Sequence, residues 1–307
     1  MRVAVTGATG VIGRQAIGAM VERGHQVIAL SRDPEGARRK LGAHVEAHAW
    51  PDPKDTPPPT AALEQADAVL HLLGEPIAQR WTDDAKREIR DSRVLSTRSL
   101  VAAIASLPEP QRPRVLFSQS ATGYYGPRGD ELVNESDPAG DDFLAHVTVE
   151  WEREAGQATA AGVRVATTRT GVVLSAQGGA LEKMLPPFKL GVGGPVAGGR
   201  QYVPWIHLDD VVGAMLRCLD DDAASGPVNV TAPNPVTNAE LSKTLGRVLH
   251  RPAVLPVPGL ALKALYGEMA TIVLTGQRAV PARLGELGYA FEHPDLEAAL
   301  RDVLSGS

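Results

Sequence analysis

Through the first 170 residues, short apolar runs alternate with longer stretches in which apolar side chains recur at helical spacing. Arg2-Val3-Ala4-Val5 reads as a buried strand, and Val11 to Glu22 places Val11, Ile12, Ala16, Ala19 and Met20 on one helical face before Gly24 stops it. Gln26–Leu30 is a second strand, and residues 44–50 alternate as a third. A proline-rich loop follows over 51–59, then a fourth strand over Asp67–Gly74. An amphipathic helix over about Asp83–Ser106 ends at the proline-rich 107–113, and Arg114–Ser118 is a fifth strand. A helix over 142–161 and a strand over Val163–Thr168 complete the series. Strands alternating with helices predict an α/β chain built on a doubly wound parallel sheet. Beyond Thr170 the rhythm loosens into glycine-rich loops and helices near 209–220, 238–250, 259–274 and 295–304. This predicts a core of residues 1–170 and a smaller C-terminal lobe of residues 171–307, partly interwoven with it. No internal repeat is present.

The first strand runs straight into Thr6-Gly7-Ala8-Thr9-Gly10-Val11-Ile12-Gly13. Strand, glycine loop and helix in that order make a site for a dinucleotide pyrophosphate, and the fold class becomes Rossmann-type. Gly7 permits the tight turn, Gly10 lets the phosphates approach bare backbone, Gly13 lets helix pack on strand, and the helix start attracts the anion. Thr9, Val11 and Ile12 complete this cofactor loop. The second strand ends in Ser31-Arg32-Asp33, where such folds meet the adenosine ribose. Asp33, 20 residues beyond Gly13, suits the 2′-hydroxyl of NAD. Arg32, with Arg38 or Arg39 behind it, suits the 2′-phosphate of NADP, and NADP is the cofactor expected. Leu72, Leu73 and Gly74 close the fourth strand on the cofactor side, because ligands lie outside the carboxyl ends of such strands.

A net charge of −5 and the lack of a Lys/Arg run give nothing to neutralise a phosphate backbone, so nucleic acid is not an expected partner. The single cysteine, Cys218, sits in an apolar helical stretch and reads as a small buried hydrophobe, in keeping with a reducing cytoplasm. The opening residues read as a strand rather than a leader, and no apolar run reaches about 18 residues. Neither export nor a membrane span is expected, and the location expected is cytoplasmic. His44 and His48 share one side of a strand but lack a third ligand, so no metal site is expected.

The glycine loop, Ser118-Gln119-Ser120-Ala121-Thr122-Gly123-Tyr124-Tyr125-Gly126 and Tyr202-Val203-Pro204-Trp205-Ile206-His207-Leu208-Asp209-Asp210 together resemble the extended short-chain dehydrogenase/reductases, which include nucleotide-sugar epimerases and dehydratases. A narrower resemblance is to the atypical subgroup of epimerase-family proteins. It rests on Leu72–Ile77, Ser92-Arg93, Phe143-Leu144-Ala145 with Trp151-Glu152, and Ala232–Asn238. That subgroup carries a C-terminal segment of unassigned function, corresponding here to about residues 250–300. The resemblance implies that Ser120 and Thr122 hold the substrate oxygen and that Gly171 and Val172 contact the nicotinamide. It also implies that the loop around Arg200 touches substrate phosphate and that His207 joins substrate lobe to core. Tyr124, at the end of the fifth strand, and Glu75, immediately after the cofactor-contacting segment, are further substrate candidates.

One departure matters. The superfamily's proton relay uses a tyrosine and a lysine four residues later, and no Tyr-x-x-x-Lys occurs in this chain. Alignment on Glu152 puts Leu144 and Thr148 in those places. His146 titrates in a useful range but lies about 200° around the helix from Leu144. Two readings follow. One is an NADP-dependent oxidoreductase or epimerase-like enzyme acting on a small-molecule substrate, with water or a nonstandard residue handling the proton. The other is a dinucleotide-binding protein that has lost catalysis and serves regulation or partner binding. The resemblance also implies a possible homodimer through the helices near 83–106 and 142–161.

Overall fold

The computed structural model describes residues 1–305. In chain order the first part runs β1 (Arg2–Thr6), α1 (Val11–Glu22), β2 (Gln26–Ser31), α2 (Pro34–Leu41), β3 (Glu46–Ala49), α3 (Thr60–Leu63), β4 (Ala68–His71), α4 (Asp83–Ser106), β5 (Val115–Ala121), β6 (Leu132–Val133), α5 (Phe143–Gly156) and β7 (Arg164–Thr170). The remainder runs β8 (Val172–Leu174), α6 (Gly179–Lys189), β9 (Tyr202–Val203), β10 (Trp205–His207), α7 (Leu208–Asp220), β11 (Gly226–Val230), β12 (Val236–Thr237), α8 (Asn238–Val248), α9 (Gly259–Tyr266), α10 (Thr271–Leu274), β13 (Arg278–Ala279), α11 (Ala282–Glu286) and α12 (Leu296–Ser305).

Seven parallel strands form one sheet in the order β11-β7-β5-β4-β1-β2-β3, a Rossmann-type α/β fold. The chain leaves β1 toward β2 and β3, then returns to lay β4 on the other side. The β1/β4 boundary is therefore the point where strand order reverses and where ligands enter such sheets. One face of the sheet is covered by α1 and α7, whose Ala16, Ile17, Met20, Val211, Met215 and Leu219 meet Val3, Val5, Val27 and Phe117. The other face is covered by α4 and the end of α5, through Leu100, Val101, Ile104 and Ala155 against Ala4, Ile28, Val69 and Leu116. Cys218 is fully buried in the α7 layer, and burial pushes its thiol pKa up to about 12.

The C-terminal lobe has its own core, in which Leu181, Leu185 and Phe188 of α6, Leu241 and Leu245 of α8 and Leu300 of α12 surround Trp205. Its attachment is interwoven: α7 lies in the helical layer of the core, and β11 is the edge strand of the main sheet. The helix expected over 259–274 is interrupted at Gly267, whose φ of 63° is left-handed, so α9 and α10 are separate. Strand β3 begins only at Glu46, which leaves the exposed His44 outside it. Among the described residues no helix is long and apolar enough to cross a membrane.

Candidate functional site

The glycine loop joins β1 to α1 with no side chain in the way. Gly7 is left-handed at φ 66°, and the amide of Gly10 donates to Gly7 O at 3.0 Å. A Cβ at Gly13 would stand 2.4 Å from Gly7 O, and one at Gly7 would stand 2.7 Å from Leu72 O. Both distances fall inside van der Waals contact with backbone, so only glycine fits. Helix α1 starts at Gly10 with no side-chain cap, and Gly10 is exposed. Its first amides thus face outward as anion donors.

Beneath the loop a buried hydrogen-bonded chain fixes β1 against β4. Leu72 N donates to Thr6 Oγ1 at 3.1 Å, and Thr6 Oγ1 lies 2.8 Å from His71 Nδ1. Thr97 Oγ1 gives its only hydrogen to Arg93 O at 2.6 Å, so at 2.9 Å it accepts from His71 Nε2. The ring therefore carries its proton on Nε2, and Thr6 donates to Nδ1. Burial drives the His71 pKa down to about 3, and the imidazole stays neutral.

At the end of β2 the structure separates the two ribose candidates. Asp33 caps α2, its Oδ1 accepting from Gly36 N at 2.9 Å, while Ser31 and Asp33 bond one another through Ser31 Oγ. Arg38 is taken as well, donating to Ala47 O at 2.7 Å. Arg32 is exposed. Asp33 therefore spends Oδ1 on the cap, while Oδ2 of this exposed residue lies 4.0 Å from Arg39 Nη2.

The end of β5 holds three of the candidate residues. Ser120 is 1% exposed and gives its single hydroxyl hydrogen to Glu152 Oε1 at 2.6 Å, so it has none left to polarise a substrate oxygen. Register sets Ser120 beside Arg169 of β7, whose Nε and Nη2 each reach a different Glu152 oxygen at 2.9 Å. Burial pulls the Arg169 pKa down, but the bonds and charge of Glu152 outweigh it and hold the guanidinium above its ordinary value. Tyr124 is half-buried, with the Arg169 guanidinium over its ring, Cζ 3.3 Å from the centroid. Tyr125 is fully buried, donates to Asn229 Oδ1 at 2.7 Å, and is pushed up to about 12 by burial. Thr122 differs from Ser120, since among the described residues its hydroxyl has no partner. On α5, Leu144 meets Gly123, and Thr148 back-bonds to Leu144 O and Ala145 O at 2.9 Å. His146 is exposed.

After β4, Leu72 and Leu73 are half-buried and Gly74 is exposed, with Glu75 held by its amide to Ser92 Oγ at 3.0 Å. Gly171 is required for a structural reason, because a Cβ there would fall 1.9 Å from Pro204 O, the acceptor of Val172 N at 2.7 Å. Arg200 is exposed in the loop before β9. His207 is 3% exposed and caps α7, Nδ1 accepting from Asp209 N at 3.1 Å. Its ring stacks on His293 at 3.7 Å, and Asp302 Oδ2 lies 3.2 Å from Nε2. These residues and Asp209 bring four metal-ligand atoms within 4.8 Å. The engaged Nδ1 puts the His207 proton on Nε2, toward Asp302, and the group ties α7 to the C-terminal segment. Burial and the neighbouring His293 lower the His207 pKa. Next to it the fully buried Asp210 accepts from Tyr289 Oη at 3.0 Å, Glu292 N at 2.8 Å and His293 N at 3.0 Å.

Residues 3–231 match the NAD dependent epimerase/dehydratase family, and residues 257–303 match a domain of unknown function, DUF1731. The chain belongs to the NAD-dependent epimerase/dehydratase family. Within it, the epimerase family protein SDR39U1 homolog of Arabidopsis thaliana, described as chloroplastic, is 41% identical over 99% of this chain and 87% of its own length. The Bacillus subtilis epimerase family protein YfhF is 36% identical over 99% and 98%. The crystal structure of human SDR39U1 (isoform 2) with NADPH is 33% identical, with a TM-score of 0.87 and full coverage of both chains. Bacillus cereus UDP-glucuronic acid 4-epimerase, solved with UDP-glucuronic acid and NAD, shares the fold at a TM-score of 0.80 and 16% identity.

Sequence reasoning about this epimerase-family chain missed the Glu152–Arg169 pair, whereas Arg93 is among the arginines, with Arg80 and Arg90, that the sequence offers as holders of an anionic group. A carboxylate and a guanidinium 17 residues apart carry no local signal; only the β5–β7 register brings Arg169 alongside Ser120. Two cavities of about 430 Å³ lie outside the β1/β4 crevice, one between α5 and the edge strands at Thr159, Thr167 and Gly226, the other at Tyr125, Arg128 and Gly140.

Proposed function

We propose that this chain is an NADP-dependent oxidoreductase or epimerase-like enzyme with a small-molecule substrate. The reading is carried by the end of β2, where Arg32 is an exposed cation and Asp33 turns one oxygen to the α2 cap and the other toward Arg39. The NADPH bound to human SDR39U1 supports the same choice. The residues fit the cofactor: the helix-start amides of Val11–Gly13 would hold the pyrophosphate, Arg32 the 2′-phosphate, and Leu72–Gly74 would floor the nicotinamide side. When bound, the nicotinamide exchanges a hydride with a carbonyl or alcohol carbon. Thr122 is the side chain whose hydroxyl is available to hold a substrate oxygen or a water that delivers the proton. Ser120 and Glu152 keep β5 and β7 in place beneath it.

A second reading, a binding protein without catalysis, is favoured by Leu144 and Thr148 where a tyrosine and lysine would act and by the commitment of Ser120 to Glu152. One experiment separates them. Purified protein is titrated with NADPH and NADH, and then NADPH absorbance is followed against carbonyl compounds and nucleotide sugars. Hydride loss with any of them supports the enzyme, and tight binding with no turnover supports the second reading. Arg32→Ala is expected to weaken NADPH about tenfold or more and NADH little, since a charge-assisted bond to phosphate is lost. Equal losses would refute the assignment of Arg32 to the 2′-phosphate.

A further inference from the structure

Half-buried Arg93 is bonded far less than the arginines packed around the sheet, as is Arg278, which makes no hydrogen bond among the described residues. Arg169 has a two-pronged carboxylate partner, Arg164 donates to Cys218 O, Leu219 O and Ala224 O, and Arg112 donates to three carbonyls. Arg93 makes one hydrogen bond among the described residues, Nη1 to Ile89 O at 2.9 Å, although a guanidinium has five N–H donors. Nε and Nη2 have no acceptor among the described residues.

Those two atoms lie where a ligand enters. A Cβ at Gly74 would stand 2.9 Å from Arg93 Cζ, 3.0 Å from Nη2 and 3.2 Å from Nε, so the guanidinium lies against the exposed glycine at the carboxyl end of β4. On its other side Cζ is 5.4 Å from the centre of the Trp151 ring. Leu144, Thr148 and Trp151 fall on one face of α5, spaced four and three residues apart, and that face contributes no charge. The cation beside it comes from α4 instead. Burial lowers the Arg93 pKa to about 10, and Glu75, which opposes the shift, does so only through space. A desolvated cation with an unused pair of parallel donors is stabilised by an arriving anion of matching shape.

We infer that Arg93 is the substrate-binding cation of this site and that it receives a carboxylate through Nε and Nη2. The inference rests on the dinucleotide reading, because that reading sends the cofactor's own anionic groups to the α1 amides and Arg32. The substrate class is then a small carbonyl or hydroxy compound bearing a carboxylate near the carbon that exchanges hydride.

The test is calorimetric titration of NADPH-saturated protein with malonate, malonamide and inorganic phosphate, for the wild type, Arg93→Gln and Arg93→Lys. Malonate is expected to bind and malonamide is not. Arg93→Gln should weaken malonate about thirtyfold, Arg93→Lys should fall between, and NADPH affinity should be equal in all three. Absence of malonate binding, equal binding by Arg93→Gln, or phosphate binding tighter than malonate overturns the inference. Failure to bind NADPH overturns the dinucleotide reading instead. Should the variants not fold, crystals of the NADPH-loaded wild type grown in malonate decide the matter. A malonate carboxylate on Nε and Nη2 supports the inference, and its absence there overturns it.

Discussion

Lowering the pH from 7 to 5 should weaken the fold by about 2 kcal/mol through His71 alone. The unfolded ring titrates near the ordinary 6.5, whereas the folded ring is held near 3 by burial among Thr6, Thr97 and the strands β1 and β4. Between those values the unfolded chain binds the extra proton, so stability rises with pH. It is fully present above about 6.5 and is lost as the pH falls toward 3. At pH 5 the unfolded ring lies about 1.5 log units below its midpoint, and at about 1.36 kcal/mol per unit this gives the stated loss. Charging the ring would make Nδ1 a donor as well, and Thr6 Oγ1 could accept from it only by turning its own hydrogen away from the ring, which adds to the cost of burying the charge. Urea unfolding at pH 7, 6 and 5 measures the slope. His71→Gln, which hydrogen-bonds but does not titrate, removes this contribution, while His207, also lowered by burial, keeps its own of the same sign. Glu46, Glu154, Glu240 and Glu297, all held below the ordinary carboxylate value, lose their contributions mainly below this window. Equal slopes for wild type and His71→Gln would refute the reasoning.

Gly13→Ala forces a Cβ against Gly7 O and the Ala8 carbonyl; it should cost about 1–3 kcal/mol and abolish NADPH binding, checked by melting and titration. Retained binding would show that the loop can shift. Arg169→Met strips Glu152 of its two guanidinium bonds and should cost about 3–5 kcal/mol in urea unfolding. A loss under about 1 kcal/mol would mean that water replaces the guanidinium. Ser120→Ala should destabilise by about 1–3 kcal/mol and Thr122→Val by clearly less, because only Ser120 is bonded to a buried charge. The opposite ranking in thermal melts would return Ser120 to the list of available hydroxyls.

The glycine loop was legible because three demands coincide in eight residues: a left-handed turn, a bare helix start and a close helix–strand approach. Other elements hide. In α2 the sequence Pro-Glu-Gly-Ala-Arg-Arg-Lys-Leu buries only Gly36 and Ala37, so it offers no apolar stripe to read. Helix α6 carries Pro186 and Pro187 in its interior, residues that ordinarily argue for a break. Strand β11 is short and contains the buried Asn229, which serves Tyr125 and Val280 O rather than an apolar core. The bond made by Ser120 was not legible because its partner is 32 residues away on α5 and the residue clamping that partner lies on β7. Such roles are set by register, which spacing along a chain does not reveal.

The three donors that converge on Asp210 alter what the segment matching DUF1731 can be asked. Cutting the chain before residue 257 would leave a carboxylate sealed in the helical layer behind the cofactor loop with those partners gone. The shortened protein would fail by losing the scaffold under α1, whatever the segment does besides. Its purpose is therefore better probed by exchanging surface side chains on α9 and α11 than by truncation.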